Sequence, residues 1–395
     1  NLARPLLFDL TNVTATAKDL KILGPDVFAN ITALSLYSKR GFQLTGLSAK
    51  FEYTTQQMTL KDMKLTTSES SLNGDLVMDY SKKGYSDFYN SVVFKASFNT
   101  SSLATNDLNG FYNEFGPNEN IGFKGNFDGV LNDFSFTDAN LTTGNTRVAG
   151  DYYFKDIFKG KKAFAINFRR HDITTSYYDL RRFLPNIIGR VLPQELGKLG
   201  LFKYQGTSKI NSSSFTTTAD FKSDIGAARA KLTIDNYTDL ALASYKGDIT
   251  LSSFDLGALT KQPSLGKVSA NLSVDGQGFT QKTVDTGLSG VISSFSFQGY
   301  DYKNITLQGA LKDPVFNGDL SIDDPNIQLD FKGLVDVSES FNQYDFRADV
   351  HFAELNKLRL VTRDSISVFA GKLFVNMDGT TIDDIVGSFS FQKTF

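Results

Sequence analysis

Few side chains in this sequence are suited to acid–base or nucleophilic chemistry. The chain contains two histidines, His171 and His351, and no cysteine. His171 follows two arginines at the end of an alternating segment, and His351 stands on the polar side of another. Zinc sites need clustered His and Cys ligands, and two isolated histidines cannot supply them. We therefore interpret both histidines as structural and predict no metal site.

Other motifs with a chemical meaning are incomplete. The carboxylate pairs Asp323-Asp324 and Asp383-Asp384 have the residue types of a glycosidase site, but both pairs lie in predicted turns, where Asp stabilises the backbone. Gly276-Gln277-Gly278 is followed by Gln281 where a dinucleotide-binding loop needs a third glycine. We predict no catalytic residues and no cofactor, and hence a protein that is not an enzyme.

Basic residues gather at one place in the chain. Arg169, Arg170, Arg181, Arg182 and Arg190 surround a predicted connector. Such a cluster could contact phosphate headgroups, but the interpretation we favour is a solvated connector. The formal net charge of the whole chain is −2, which gives no electrostatic basis for binding nucleic acid.

Composition limits the class of protein. The 395 residues include 35 Phe and 16 Tyr but no Trp, and the absence of Cys is compatible with an oxidising compartment. No apolar run reaches about 18 residues, the length of a membrane-spanning helix. Because the sequence opens at Asn1 without a signal peptide, we expect it to be part of a longer protein.

The segment Gly299–Ser338 shows the elements that make up most of the chain. Apolar residues and glycines alternate with mostly polar ones over 305–311, 316–322 and 327–333. Since successive side chains of a strand point to opposite faces, each run has one apolar and one polar face. Asp-Pro steps such as that at Pro325 are typical of the short turns that join antiparallel neighbours. The sequence predicts an all-β chain.

A longer period is superimposed on these strands. Alternating segments end in an acidic-Leu-x-x-apolar step, at Asp179–Phe183, Asp255–Leu259 and Glu354–Leu358. Its spacing indicates repeats of about five strands. The predicted divisions are repeats at 1–108, 109–183, 205–259 and 260–358, a connector at 184–204, and the start of a further repeat at 359–395.

The predicted connector has a helical pattern of apolar residues. These are Leu180, Phe183, Leu184, Ile187, Ile188, Val191 and Leu192. Pro185 is tolerated near a helix start, so we expect a turn followed by a helix. An amphipathic helix here could lie on a membrane surface, but we favour a plug that packs on the apolar face of the sheet.

Three stretches carry a resemblance to a known family. They are Gly299–Ser338, Phe346–Leu358 with its Glu-Leu-x-x-Leu ending, and Val191–Gly200 with Tyr204-Gln205-Gly206 after it. The pattern resembles the TamB/AsmA-like family of bacterial envelope proteins, in its Bacteroidota style. The likeness extends over the chain as repeats rather than as one sharp motif.

The resemblance implies a long, twisted antiparallel sheet folded into an open apolar groove, a β-taco of repeating five-strand units with short helical connectors. It implies a non-enzymatic periplasmic bridge that carries phospholipid between the inner and outer membranes, with a link to outer-membrane biogenesis and protein assembly. Contacts with the inner membrane, through an anchor, and with an outer-membrane assembly barrel would belong to parts of the parent protein outside this sequence. On this interpretation the groove is lined by Phe164, Ile166, Phe168, Ile249, Leu251, Ile305, Leu307, Phe316, Leu320, Ile322, Ile327, Leu329, Phe331, Phe346, Val350 and Phe352.

Alternatives remain open at this point. Alternation alone does not distinguish an open trough from a sandwich in which a second sheet covers the apolar face, and only the resemblance favours the trough. The same groove would also suit a scaffold that holds unfolded outer-membrane proteins by edge pairing. An outer-membrane barrel is less favoured because the strands are short and the polar face is densely charged. A surface β-solenoid is less favoured because the turns suit antiparallel hairpins.

Overall fold

The fold is seen in a computed structural model. It describes residues 10–38, 43–109, 115–159, 163–186, 192, 194–280, 283–312, 315–337, 342–361, 363, 365–379 and 386–392. The chain forms two compact units, one of Asn1–Gly197 with Leu201–Ser212, the other of Lys198–Gly200 with Ser213–Phe395. Each unit is an antiparallel sheet with a few short helices.

In the first unit eleven strands pair in chain order, each antiparallel to the next. The strands are β1 (Leu10–Leu23), β2 (Asp26–Ser38), β3 (Gln43–Tyr53), β4 (Gln57–Thr67), β5 (Ser71–Asp79), β6 (Val93–Ala104), β7 (Asn120–Val130), β8 (Asp133–Thr143), β9 (Thr146–Lys155), β10 (Ala165–Ser176) and β11 (Leu201–Asn211). Among the described pairings none joins β1 to β11, so the sheet is open.

The second unit repeats this arrangement with eleven strands, again paired in chain order. They are β12 (Ser214–Ser223), β13 (Gly226–Asp235), β14 (Ser244–Asp255), β15 (Leu265–Gln277), β16 (Asp285–Phe297), β17 (Tyr300–Lys312), β18 (Val315–Asp324), β19 (Ile327–Val337), β20 (Asn342–Glu354), β21 (Val368–Asp378) and β22 (Val386–Gln392). The prediction of an all-β chain built as an open antiparallel sheet is confirmed.

Bulges recur on even-numbered strands of both units. Each bulge adds one residue to its strand, so that two residues three apart in sequence point to the same face. These pairs are Leu60 and Met63 on β4, Phe98 and Ser101 on β6, Phe136 and Ala139 on β8, Phe168 and His171 on β10, Leu251 and Phe254 on β14, and Val350 and Ala353 on β20.

Aspartates of the following strand stabilise two of these bulges. The bulged residues Asp62 and Asp138 have positive φ angles of 52° and 49°. Their backbone N–H groups donate to Oδ1 of Asp75 at 2.8 Å and to Oδ1 of Asp151 at 3.0 Å. A glycine precedes each acceptor, and at Gly74 (φ 151°) a Cβ would collide with the backbone of the next strand. The bulges are therefore built by specific residues on two adjacent strands.

Short helices follow some of the even-numbered strands. They are α2 (Thr105–Asn109), α3 (Tyr177–Phe183), α4 (Leu256–Thr260) and a 3₁₀ helix at Gln194–Leu199, while α1 (Phe88–Ser91) follows β5. The Ser176 hydroxyl caps α3 by accepting from the N–H of Asp179, and Asp255 caps α4 in the same way. The acidic-Leu-x-x-apolar steps thus form helical turns after β10 and β14, and a hydrogen-bonded turn after β20.

The connector is described only in part, and the helix predicted after Pro185 stays a prediction. Helix α3 ends at Phe183, before Pro185. The Ser176 cap starts the helix, and Pro185 disfavours the helical conformation of the residue before it, Leu184, so the helix stops. The predicted helix positions Ile187, Ile188 and Val191 lie outside the described residues. Strand β11 begins at Leu201, inside the range predicted for the connector.

Candidate functional site: an apolar face on each unit

One row of small and apolar side chains crosses all eleven strands of the second unit. Residues directly opposite each other in neighbouring strands share a face of the sheet, so the register can be followed from strand to strand. From β12 to β22 the row is Ala219, Ala230, Ile249, Leu272, Gly290, Leu307, Leu320, Phe331, Ala348, Leu373 and Phe391. No polar side chain interrupts it.

A second row lies beside the first on the same face. It is formed by Phe221, Ala228, Leu251, Ala270, Ile292, Ile305, Ile322, Leu329, Val350 and Gly371. The two rows contain most of the residues predicted to line a groove in this part of the chain. Ile305, Leu307 and Val350 are less than 10% exposed, while their neighbours in the rows are mostly half-buried. The two rows therefore contain no polar side chain and are only partly covered.

Phenylalanine rings fill the space that glycines leave in this face. Gly309, Gly318 and Gly333 lie opposite one another on β17, β18 and β19. A Cβ built on Gly309 would lie 2.9 Å from the Phe316 ring. The ring of Phe331 lies 6.3 Å from that of Phe316 and 5.2 Å from that of Phe346, between centroids.

The prediction for Phe352 is wrong. The bulge on β20 places Phe352 opposite Gln328, whose side chain is exposed on the polar face, and places Ala353 opposite Ile327. Ala353 is 2% exposed and belongs to an apolar cluster with Ile327 and Val350. Strict alternation from Phe346 onward fails because the extra residue of the bulge shifts every later side chain of β20 to the opposite face.

Leu358 extends this cluster from the turn that follows β20. It is 1% exposed and packs in the same cluster as Ile327, Val350 and Ala353. The N–H of Leu358 donates to the carbonyl of Glu354 at 3.0 Å, which closes the turn. A predicted repeat-ending step therefore contributes a side chain to the apolar face.

The first unit carries an equivalent row across its eleven strands. From β1 to β11 it is Ile22, Val27, Tyr53, Met58, Met78, Phe94, Gly129, Phe134, Phe154, Ile166 and Ile210. Of the predicted lining residues, Ile166 and Phe168 lie on this face, and Phe164 precedes β10. The contributions of β1 to β9 were missed, although the alternation of apolar residues along these strands is visible in the sequence.

Aromatic contacts hold the middle of this row together. The Phe134 ring stacks on Phe127 at 4.6 Å and on Phe154 at 4.5 Å, and Phe94 meets Phe127 edge-on at 6.4 Å, all between centroids. Offset and edge-to-face pairs at these distances add to the burial energy.

The opposite face of each sheet is polar and laced with cross-strand ion pairs. Examples are Lys50–Asp62 at 2.8 Å, Arg229–Asp220 at 2.6 Å, Lys246–Asp275 at 2.7 Å and Lys332–Asp319 at 3.1 Å. The hydrogen bond from Arg229 lowers the pKa of Asp220. Exposed pairs of this kind contribute little to stability, so their main effect is to keep this face wetted.

The residues considered for catalysis are held in structural contacts. Asp324 is 1% exposed, and its carboxylate accepts from the Tyr300 hydroxyl and from the N–H groups of Lys303 and Asn326. The other carboxylate pair, Asp383-Asp384, lies outside the described residues. His351 Nε2 lies 3.1 Å from Asp330 Oδ2 on the polar face. In the part of the chain that the structure describes, no three His, Asp or Glu side chains form a metal-binding group.

The described arginines of the predicted basic cluster contact several different partners. Arg170 pairs with Asp151, while Arg182 lies 2.9 Å from Glu119 and 3.3 Å from Asp179. Arg169 and Arg181 lie over tyrosine rings, at 4.6 Å and 5.4 Å from the centroids. Arg190 lies outside the described residues.

The predicted plug is only partly described. The Phe183 ring contacts that of Phe115 at 5.6 Å, and the N–H of Leu184 donates to the carbonyl of Leu180 at 2.9 Å. Leu192 is half-buried. A plugging role for these residues stays a prediction.

Two further findings bear on identity. Within the described residues no helix is both long and apolar enough to span a membrane. Comparisons with protein-family models, with curated proteins and with solved structures gave no match for this chain.

Proposed function

We propose that the apolar face carries the acyl chains of phospholipids, and that the protein is a non-enzymatic lipid conduit of the bacterial periplasm. The resemblance to the TamB/AsmA-like family supports this proposal, and so does the architecture of an open antiparallel sheet. Phospholipid is then a cargo rather than a cofactor. Contacts with the inner membrane and with an outer-membrane assembly barrel are part of the same proposal for the longer parent protein.

The observation that carries the proposal is the unbroken apolar row across eleven strands in each unit. At about 4.8 Å per strand, ten strand spacings extend for about 48 Å, which is longer than an acyl chain. The side chains of these rows are mostly half-buried rather than fully buried. Apolar surface left in water is unfavourable, at about 25 cal/mol per Å², and acyl chains laid along the rows would relieve that cost.

The test is lipid retention by the purified chain, kept free of detergent throughout. Native mass spectrometry and lipid extraction would be applied to the wild type and to Leu320→Asp and Phe331→Asp, which place a charge in the row. Thr306→Asp is the matched control, because Thr306 is exposed on the polar face of β17 between Ile305 and Leu307. We expect retained phospholipid in the wild type and in Thr306→Asp, and loss of most of it in the other two.

Other outcomes would contradict the proposal. A wild-type protein that is empty and whose stability does not change on adding phospholipid would show that its apolar face needs no lipid. Equal retention in all four proteins would place the lipid elsewhere. Cross-linking of the empty protein to nascent outer-membrane proteins would instead support the scaffold function.

A further inference from the structure

His171 occupies an exceptional place on the apolar face of the first unit. The bulge on β10 places it on the same face as Phe168, opposite Gly206 of β11. The equivalent residues after the bulges of β4, β6 and β8 are Met63, Ser101 and Ala139. His171 is thus the one titratable side chain at these four positions.

Three side chains form a buried polar cluster at this point. His171 Nε2 lies 2.9 Å from Ser208 Oγ, and the Tyr204 hydroxyl lies 2.8 Å from the same oxygen. The Tyr204 ring stacks on the imidazole, with 4.5 Å between centroids and 15° between planes. The Phe168 ring meets the other side of the cluster edge-on at 6.4 Å.

One atom of the cluster has no partner. His171 is 2% exposed, and its Nδ1 makes no hydrogen bond. Buried N–H groups without an acceptor are rarer in proteins than buried acceptors without a donor. We therefore assign the proton to Nε2, from which it is donated to Ser208, and this leaves the lone pair of Nδ1 without a hydrogen-bond donor.

The charged groups nearby engage partners away from the ring. Arg170 donates to Asp151, and Asp172 accepts from Gln205 at 2.7 Å and lies 3.2 Å from Lys203 Nζ. Burial lowers the pKa of His171, with backbone carbonyls and Asp172 opposing the effect. Burial therefore favours the neutral form of the imidazole.

We propose that His171 Nδ1 accepts a hydrogen bond from the protonated carboxyl group of a single-chain fatty acid whose tail lies on the apolar face. This inference rests on the proposed function, because the tail uses the same row of side chains. Binding of the carboxyl group requires the half-buried side chain of Tyr204 to move off the imidazole on which it stacks. A phosphodiester head is disfavoured because its charge is permanent and a neutral imidazole cannot offset it, whereas a carboxyl group enters as a neutral donor.

The test uses the full chain labelled with ¹⁵N-histidine, in which only two imidazoles give signals. Dodecanoic acid and methyl dodecanoate are the probes, since they share a tail and differ in the acidic proton. His351→Asn identifies the His171 signals and is the control variant, because His351 lies on the polar face. His171→Phe retains a ring against Tyr204 while removing the acceptor.

We expect dodecanoic acid to shift the Nδ1 signal of His171 and methyl dodecanoate to leave it in place. In His171→Phe the affinity for the acid should fall about tenfold, the effect of one hydrogen bond, with the affinity for the ester unchanged. His351→Asn should bind both probes like the wild type.

The outcomes separate this inference from the proposed function. If the ester binds but the acid leaves the Nδ1 signal unmoved, or if His171→Phe weakens both probes equally, the His171 site is refuted and the apolar face remains a lipid path. If neither probe binds the wild type, the His171 site is refuted, and phospholipid retention alone decides the proposed function. Because the spectra are recorded on the unaltered residue, a variant that misfolds would not prevent a decision.

Discussion

A single side chain, His171, shows how far residue type alone can be interpreted. The sequence places it at the end of an alternating segment, next to two arginines, and indicates only a structural role. In the structure the bulge on β10 turns it to the apolar face, where it is buried with Ser208 and Tyr204. The local sequence could not show this, because Gly206 and Ser208 lie on the following strand and determine where the extra residue of β10 is accommodated.

The burial of His171 predicts a dependence of stability on pH. Since burial lowers the pKa of His171 in the folded protein, the unfolded chain binds more protons below about pH 6.5, the ordinary pKa of histidine. The free energy of unfolding should therefore be unaffected above that pH. It should fall as the pH drops below it, by at most about 1.4 kcal/mol per pH unit.

Urea unfolding of the wild type, His171→Phe and His351→Asn between about pH 7.5 and 5 would measure this effect. We expect the decline in the wild type and in His351→Asn, and its absence in His171→Phe. A decline of the same size in all three proteins would assign it to other groups.

At the scale of the strand, the sequence predicts much of the structure and fails at particular points. Alternation located the strands of 299–338 well, because one wetted and one apolar face impose a period of two. It failed after Val350, where the bulge exchanges the faces of Phe352 and Ala353. Bulges depend on the neighbouring strand, and a single strand's pattern does not contain that information.

The tripeptide Asn-Gly-Asp gives a second example. At 73–75 its aspartate accepts the N–H of the bulged residue Asp62. At 317–319 the same three residues lie in regular pairing, and Asp319 forms an exposed ion pair with Lys332. Identical local sequences therefore take different roles, according to the register of the adjacent strand.

Because the bulge exchanges the faces of β20, the same substitution should cost very different amounts of stability at two adjacent positions. Ala353→Asp puts an unpaired carboxylate into the cluster of Ile327 and Leu358, and it should lower the free energy of unfolding by several kcal/mol. Phe352→Asp puts the same group beside the exposed Gln328 and should cost about 1 kcal/mol or less. Thermal or urea unfolding of both variants would measure these two losses. A larger loss of unfolding free energy for Phe352→Asp than for Ala353→Asp would show that Phe352 lies on the apolar face, as strict alternation predicts.

At the scale of the whole molecule, each unit is a sheet whose principal contacts join strands that are consecutive in the chain. Hairpin turns and alternating faces predicted the all-β antiparallel architecture, and the resemblance alone gave the expectation that the sheet is open. It did not reveal the division into two units near 197–213 or the apolar row of the first nine strands. The TamB/AsmA-like relationship and the lipid function stay predictions, because repeated alternation is shared by proteins with many cargoes.

Pairing in chain order predicts that the destabilising effect of a substitution is confined to neighbouring strands. Stability in such arrays is close to a sum of nearest-neighbour terms, so Ala353→Asp should speed amide hydrogen exchange in β19, β20 and β21. Exchange in β12, β13 and β14 of the same unit should stay as in the wild type. Hydrogen exchange followed by mass spectrometry would show this. Uniform acceleration across the unit would indicate a single cooperative block instead.

The chain-order meander also has a consequence for how the protein is made. Every strand finds its partner in the segment synthesised just before it, so no contact within a unit's ladder has to wait for distant residues. Low contact order shortens the loops that must close and speeds folding. Each unit can therefore assemble from its amino-terminal strand onward, hairpin by hairpin, while the chain is still emerging from a ribosome or a translocation pore.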